Sequence, residues 1–242
     1  MKNKIVVLVR TRDEETRIGL FCKAYKEADL ILVADGGSVD STREIARMYD
    51  NVIVRDYPGR VPMQDGTWRN NDSQHVNWLI EWSKEYKPSW VILDDCDCRP
   101  NFLLKQDYRG LLYRAKEDYV LVTRIYHWGY DQHFPHLAKP GATHERWEPS
   151  LWAWRGNQDF KTVDVPPAFT FRIGERDIHD LHTDASALDL YPPYALLHYS
   201  WPDPAFVLKK IENYRKSGLI PGMLHPLEFG GPLAPLEWWM KE

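Results

Sequence analysis

Three carboxylates stand within four positions where a short apolar run ends, in Val91-Ile-Leu-Asp94-Asp95-Cys96-Asp97. A buried strand that releases acids at its carboxyl end is a usual way for an open α/β sheet to build a site. Side chains alternate along an extended backbone, so Asp95 and Asp97 can project to one side. Two hard oxygen donors on one side suit Mg²⁺ or Mn²⁺, ions that also hold phosphate oxygens. The same acids would equally close a strand end in solvent, and spacing alone leaves both readings open. Two more polar clusters follow apolar runs in the same manner. Thr11-Arg-Asp-Glu-Glu15 comes after the run 5–9, and Asp35-Gly-Gly-Ser-Val-Asp-Ser-Thr42 comes after the run 30–34. His198 ends a fourth apolar run, Ala195-Leu-Leu-His198.

The elements that must position these groups follow from periodicity. Ile5-Val-Val-Leu-Val9 is a continuous β-branched run and reads as a central parallel strand. A helix over 16–26 puts Ile18, Phe21, Cys22 and Tyr25 on one face. Strands are expected at 30–34 and 52–54. Between them a helix carries Ile45, Ala46 and Met48, capped by Ser38, Asp40 or Ser41. Residues 57–72 read as irregular. A helix from Asp72 or Ser73 through Trp82 precedes the acidic strand, a helix over 103–115 follows it, and 119–126 reads as a longer strand. This β-α-β-α-β series predicts a mostly parallel sheet with right-handed crossovers. From 127 to 205 only 151–154 and 195–199 read as strands. Pro204 opens a helix that Gly218 ends.

Composition narrows the classes. A length of 242 residues with 43% apolar content fits one generous domain. A net charge of −4 gives no basic field for nucleic acid. The eleven Trp and thirteen Tyr are expected mainly in the core. Three Cys, with Cys96 and Cys98 flanking Asp97, read as reduced thiols of a cytoplasmic protein rather than a disulfide or zinc framework. No signal peptide or membrane-length apolar run stands out.

In this order, the Thr11–Glu15 stretch, the Asp35–Thr42 turn, Arg69-Asn70 and Asp95-Cys-Asp97 resemble family-2 glycosyltransferases of GT-A fold. Those enzymes carry a Thr-x-Asn/Asp-Glu-Glu stretch, an Asp-Gly-x-Ser-x-Asp-x-Thr turn, an Arg-Asn pair and an Asp-x-Asp metal motif. The resemblance spans residues 4 to about 125. The second half resembles a subset acting on acceptors such as lipopolysaccharide core, which has Val-His-Glu-like and His-Tyr-Ser elements. Here these are Ile178-His179-Asp180 and His198-Tyr199-Ser200, followed by Lys209, Lys210 and Tyr214. Asp180 stands for the Glu, and Trp152-Ala-Trp-Arg155 stands where an Arg-Leu-Phe-Arg is common.

The resemblance implies a Rossmann-like, mostly parallel sheet with an irregular C-terminal acceptor region. It assigns residues 1–125 to a nucleotide-sugar-binding half and 126–242 to an acceptor half. It implies an inverting transfer from a nucleotide sugar, in all expectation a UDP-sugar, to a hydroxyl acceptor, with Mn²⁺ or Mg²⁺ as cofactor. Asp35 would meet the base edge, Thr11, Arg12 and Glu14 would wall the nucleotide, and Arg69 would meet the nucleotide or its phosphate as a fork of donors. Asp95 and Asp97 would hold the metal with His198. Direct displacement needs one base on the acceptor side, and Asp180 is the candidate, with Asp177 next. Helix capping is the competing role for Asp180. Glycan, lipid-linked, protein and modified nucleic-acid acceptors stay open. The Trp238-Trp239 pair either packs on the core or touches a membrane surface. Strand-end acids also serve nucleotidyl transfer, but residues 10–18 lack the glycines of a triphosphate loop. An inactive binding module of the same fold is the other alternative.

Overall fold

The structure, a computed structural model, describes residues 3–62, 68–70, 72–128, 132–134, 149–165, 168–173, 176–177, 186–190, 193–201 and 234–235. In chain order the first elements are β1 (Ile5–Thr11), α1 (Ile18–Ala24), β2 (Leu30–Asp35), α2 (Thr42–Ala46), β3 (Val52–Asp56), β4 (Arg60–Pro62), β5 (Trp68–Asn70) and α3 (Asp72–Ser83). Then come β6 (Trp90–Leu93), β7 (Cys98–Pro100), α4 (Phe102–Arg114), β8 (Tyr119–Trp128), β9 (Gln132–Phe134) and β10 (Pro149–Arg155). Last are β11 (Phe160–Val165), β12 (Ala168–Ile173), β13 (Arg176–Asp177), β14 (Ala187–Leu190), β15 (Leu196–Trp201) and β16 (Ala234–Pro235). The chain forms two compact units. One comprises 1–96, 107–121 and 151–189; the other comprises 97–106, 122–150 and 190–242.

The first unit is a sheet in the order β3-β2-β1-β6-β10. β1, β2, β3 and β6 run parallel, and β10 is antiparallel to β6. The reason is in the side chains: every residue of β2 and all but Arg10 of β1 are buried, which requires cover on both faces. Val6, Leu8, Leu32 and Ala34 share a core with Val76, Leu79 and Ile80 of α3. Ile18, Phe21, Cys22 and Tyr25 are all buried, as their spacing requires. The large aromatics Trp90, Trp152, Trp154 and Tyr108 are buried core as well. All three cysteines are free and buried, and burial pushes the Cys22 thiol up to about 12.

The second unit holds β7, β9, β15, β16 and most of β8. β15 runs parallel to β8 and antiparallel to β7, and β9 bridges β8 and β16 in antiparallel register. Asn101 caps α4: its Oδ1 accepts from the Leu104 amide at 3.0 Å, while its Nδ2 donates to the Pro193 carbonyl at 2.7 Å.

The differences from the sequence reading are local. Residues 57–72, expected irregular, contain the β4–β5 antiparallel pair with Val61 opposite Arg69. α2 ends at Ala46, so Met48 lies beyond it and is exposed. Between 127 and 205 the described chain is strand-rich rather than irregular. β11 pairs with β12 from Phe160↔Ile173 to Val165↔Ala168, leaving only Pro166 and Pro167 between them. Asn77 of α3 anchors that hairpin, its Oδ1 accepting from the Thr162 amide at 2.7 Å and its Nδ2 donating to the Thr162 carbonyl at 2.9 Å. No helix among the described residues is long and apolar enough to cross a membrane.

Candidate functional site

Parallel pairing brings three chain-distant polar segments to one sheet edge. Thr11 lies beside Asp35 in the β1–β2 register, and Leu8 lies beside Leu93 in β1–β6. The ladder then passes into the loops without a gap. Gly36 N–H donates to the Thr11 carbonyl at 2.8 Å, Tyr57 N–H to the Asp35 carbonyl at 2.7 Å, and Asp94 N–H to the Leu8 carbonyl at 3.2 Å. Thr11, Asp35 and Asp94-Asp95 thus all leave the carboxyl ends of parallel strands, where open α/β sheets bind ligands. The Thr11 hydroxyl is buried with no hydrogen-bond partner among the described residues.

The first two loops lock each other. Asp13, at φ 54°, donates its amide to Ser38 Oγ at 3.0 Å and accepts the Val39 amide on Oδ1 at 2.8 Å. Glu14 N–H donates to Thr42 Oγ1 at 2.7 Å, and Glu15 N–H to Asp40 Oδ2 at 3.1 Å. Asp40 lies just before Ser41, the N-cap of α2, and its Oδ1 accepts the Thr42 amide at 3.0 Å and the Thr42 hydroxyl at 2.5 Å. Burial opposes ionisation of Asp40, but these bonds prevail and hold its carboxyl below the usual carboxylate range.

Asp35 is fully buried, and its turn uses it heavily. Oδ2 accepts the Gly37 and Ser38 amides, each at 3.0 Å, and Oδ1 accepts the Ser38 hydroxyl. Gly37 takes φ 93°, which a side chain would resist. The Arg43 guanidinium stands 4.0 Å from Asp35 Oδ2. Glu14 accepts from Arg17 at 2.9 Å, and Arg12 is exposed beside Asp13 at 3.9 Å.

The strand-end acids divide by environment. Asp94 is 2% exposed. Its Oδ2 accepts from the Tyr25 hydroxyl at 2.7 Å, and that hydroxyl accepts from Trp152 Nε1 at 3.1 Å. Its Oδ1 accepts the Asp95 amide at 3.0 Å. Asp94 therefore belongs to the core, where it fixes the strand end. Asp95 is more open, with Oδ1 3.4 Å from both Nε and Nη2 of Arg10.

One further group escaped the sequence reading. His75, on the apolar face of α3, is 2% exposed, stacks on Tyr57 at 4.1 Å and lies 3.1 Å through Nε2 from the Ala34 carbonyl. Burial, and secondarily the Arg10 charge, lowers its pKa from 6.5 to about 4. The signal available was a polar ring at helical spacing from Leu79, which reads equally as surface.

In the second unit, Asp97, Cys98 and His198 gather three donor atoms within 4.8 Å of one another. His198 Nε2 lies 3.4 Å from Asp97 Oδ1, and the Cys98 thiol 3.9 Å from the same oxygen. β7–β15 pairing sets His198 directly opposite Cys98. A carboxylate and an imidazole so close together fit a divalent cation. Arg69 is on β5 and Asp177 on β13. Asp180, His179, Lys209, Lys210, Tyr214, Trp238 and Trp239 lie outside the described residues.

No protein-family model and no curated protein matches the sequence. Solved structures do align. Staphylococcus aureus TarS 1–349 in complex with UDP-GlcNAc aligns at TM-score 0.53 and 14% identity over 81% of this chain and 59% of that one. S. aureus TarS in a second structure aligns at 0.51 and 13% over 88% and 40%. A mycobacterial protein aligns at 0.51 and 18% over 90% and 75%. The chain thus spans less than two-thirds of the TarS chains. At such identities the likeness is one of architecture: this is a mixed α/β chain with the mostly parallel, helix-flanked sheet of the GT-A fold.

Proposed function

We propose that the chain is a metal-dependent glycosyltransferase moving a sugar from a UDP-sugar to a hydroxyl acceptor with inversion. The observation that carries the reading is the common carboxyl edge of β1, β2 and β6, which releases Thr11, Asp35 and Asp94-Asp95 in the chain order of the GT-A motifs. The GT-A architecture supports it. The unpartnered Thr11 hydroxyl supplies a donor for a nucleotide oxygen, and Arg12 and Glu14 complete that wall. Asp35 accepts the uracil ring N–H on the lone pair of Oδ1 left after the Ser38 bond. Arg69 meets the phosphates as a fork of donors.

A divalent cation, Mn²⁺ or Mg²⁺, neutralises charge on the leaving diphosphate when bound. Asp95, Asp97 and His198 are the residues that would hold it, and the fit is supported by the Asp97–His198 spacing of 3.4 Å. Asp180 takes the proton from the acceptor hydroxyl as that oxygen bonds the anomeric carbon and the carbon–oxygen bond to diphosphate breaks. The nucleotide-sugar half is 1–125 and the acceptor half 126–242, with a glycan or another hydroxyl-bearing molecule as acceptor.

The test is release of free nucleoside diphosphate across a donor panel with Mn²⁺ or Mg²⁺ and no acceptor. Slow hydrolysis of one UDP-sugar, silenced by EDTA, is expected. Absence of hydrolysis across the panel, together with no nucleotide binding by calorimetry, rejects the reading.

A further inference from the structure

The second unit adds a donor that strand-end acids do not ordinarily bring. The thiol of Cys98 stands 3.9 Å from the Asp97 oxygen that His198 Nε2 approaches to 3.4 Å. Local structure explains the grouping. Cys98 and His198 are opposite residues of an antiparallel pair, so their side chains leave the sheet on one face. Asp97 precedes the first residue of β7 and escapes strand alternation, which lets its carboxylate turn to the same face.

The donor chemistry discriminates between ion types, since thiolate and imidazole favour soft and borderline ions over Mg²⁺. Cys98 is fully buried, while the Asp97 and His198 side chains retain 12% and 13% exposure. An ion entering past the latter two would meet the sulfur last.

We propose that Asp97, Cys98 and His198 form a thiolate-containing site that binds Zn²⁺ or Cd²⁺ in preference to Mn²⁺, and Mn²⁺ in preference to Mg²⁺. Binding forms a metal–sulfur bond and sends the thiol proton to solvent, so affinity rises with pH. The inference rests on the metal-holding part of the transferase reading and adds the sulfur ligand and the ion order.

The test uses the full, metal-stripped chain with Cd²⁺ alone, without nucleotide. One equivalent should raise the ultraviolet sulfur-to-cadmium charge-transfer band and give a cadmium NMR resonance shifted by sulfur. Cys98→Ser should abolish the band and weaken Cd²⁺ at least ~100-fold, more than loss of an outer partner costs, while Mn²⁺ affinity changes less than about threefold. Asp97→Asn and His198→Ala should each weaken Cd²⁺, and Cys96→Ser should leave the band intact. A band that survives Cys98→Ser, or a cadmium resonance typical of nitrogen and oxygen ligands alone, overturns the proposal. The NMR arm needs no variant, so it stands even if Cys98→Ser does not fold; Cys98→Ala, checked by circular dichroism, supplies the second comparison. Donor hydrolysis with Mn²⁺ but no sulfur signature overturns this inference alone. A sulfur signature with neither donor hydrolysis nor nucleotide binding overturns the transferase reading alone.

Discussion

Asp94, Asp95 and Asp97 look alike in sequence, yet only burial and partners separate them. Asp94 is spent on Tyr25 and the Asp95 amide, whereas Asp95 faces Arg10 and stays partly open. Asp35 carries two demands at once. Its three internal bonds hold the turn, and the proposed base contact uses what is left of Oδ1. Asp35→Ala is therefore expected to cost about 2–3 kcal/mol in chemical denaturation and to weaken UDP more than it slows saturated turnover. An unchanged denaturation midpoint rejects the turn role; equal wild-type affinity for UDP and CDP in calorimetry rejects the base role. His75 makes a pH prediction. It titrates at about 4 in the folded chain and at its ordinary 6.5 in the unfolded one, so below pH 6.5 the unfolded chain binds the extra proton. Stability should fall as pH drops from about 6.5 to about 4, by on the order of 3 kcal/mol across that gap of about 2.5 pH units. Arg10 pushes in this direction and Asp35 against it. Denaturation midpoints at pH 7 and pH 5 should differ less in His75→Asn than in the wild type; an equal difference removes His75 as the cause.

Elements show where backbone contact leaves no slack. Gly156 follows β10, and a Cβ there would stand 2.0 Å from the Pro88 carbonyl oxygen, just before β6. Gly156 also donates its amide to the Ser89 carbonyl at 3.0 Å, so the two segments cannot separate without losing that bond. Gly156→Ala is expected to destabilise by about 2 kcal/mol or more. Gly110, inside α4, is the contrast: its added Cβ meets only the tips of Asp107 and Arg114, which can swing away. Gly110→Ala should be neutral or stabilise by up to about 1 kcal/mol through helix propensity. Thermal melts of the pair check both, and similar melting of the two variants rejects the argument. The β11–β12 hairpin was partly legible, because Phe169-Thr-Phe171-Arg-Ile173 alternates.

Across the whole molecule, binding and chemistry should separate by residue. Asp97→Asn keeps side-chain volume and loses charge, so it should melt normally, lose metal-dependent turnover and bind Mn²⁺ more weakly. Asp180→Asn should melt normally, bind UDP normally and lose roughly two to four orders of magnitude in turnover, since it removes only a proton acceptor. A capping role predicts the reverse, a loss of about 1 kcal/mol in stability with turnover retained. Melting, UDP calorimetry and transfer rates on both variants decide between these patterns; near wild-type transfer by folded Asp180→Asn moves the base to Asp177.

The amino-acid order by itself determined the β-α-β-α-β run from Ile5 to Asp56 and the helix and strand that follow between Asp72 and Leu93. It also determined which segments leave the strand ends, because apolar runs covered on both faces and the polar residues that end them are local signals. Only tertiary structure decided what each polar group does. Asp94 is core because Tyr25 and Trp152, far away in sequence, meet it. His75 is neutral because Tyr57 and the sheet enclose it. Cys98 stands beside two further candidate donors because β15 aligns His198 opposite it. Each depends on desolvation and on partners that spacing along the chain does not encode.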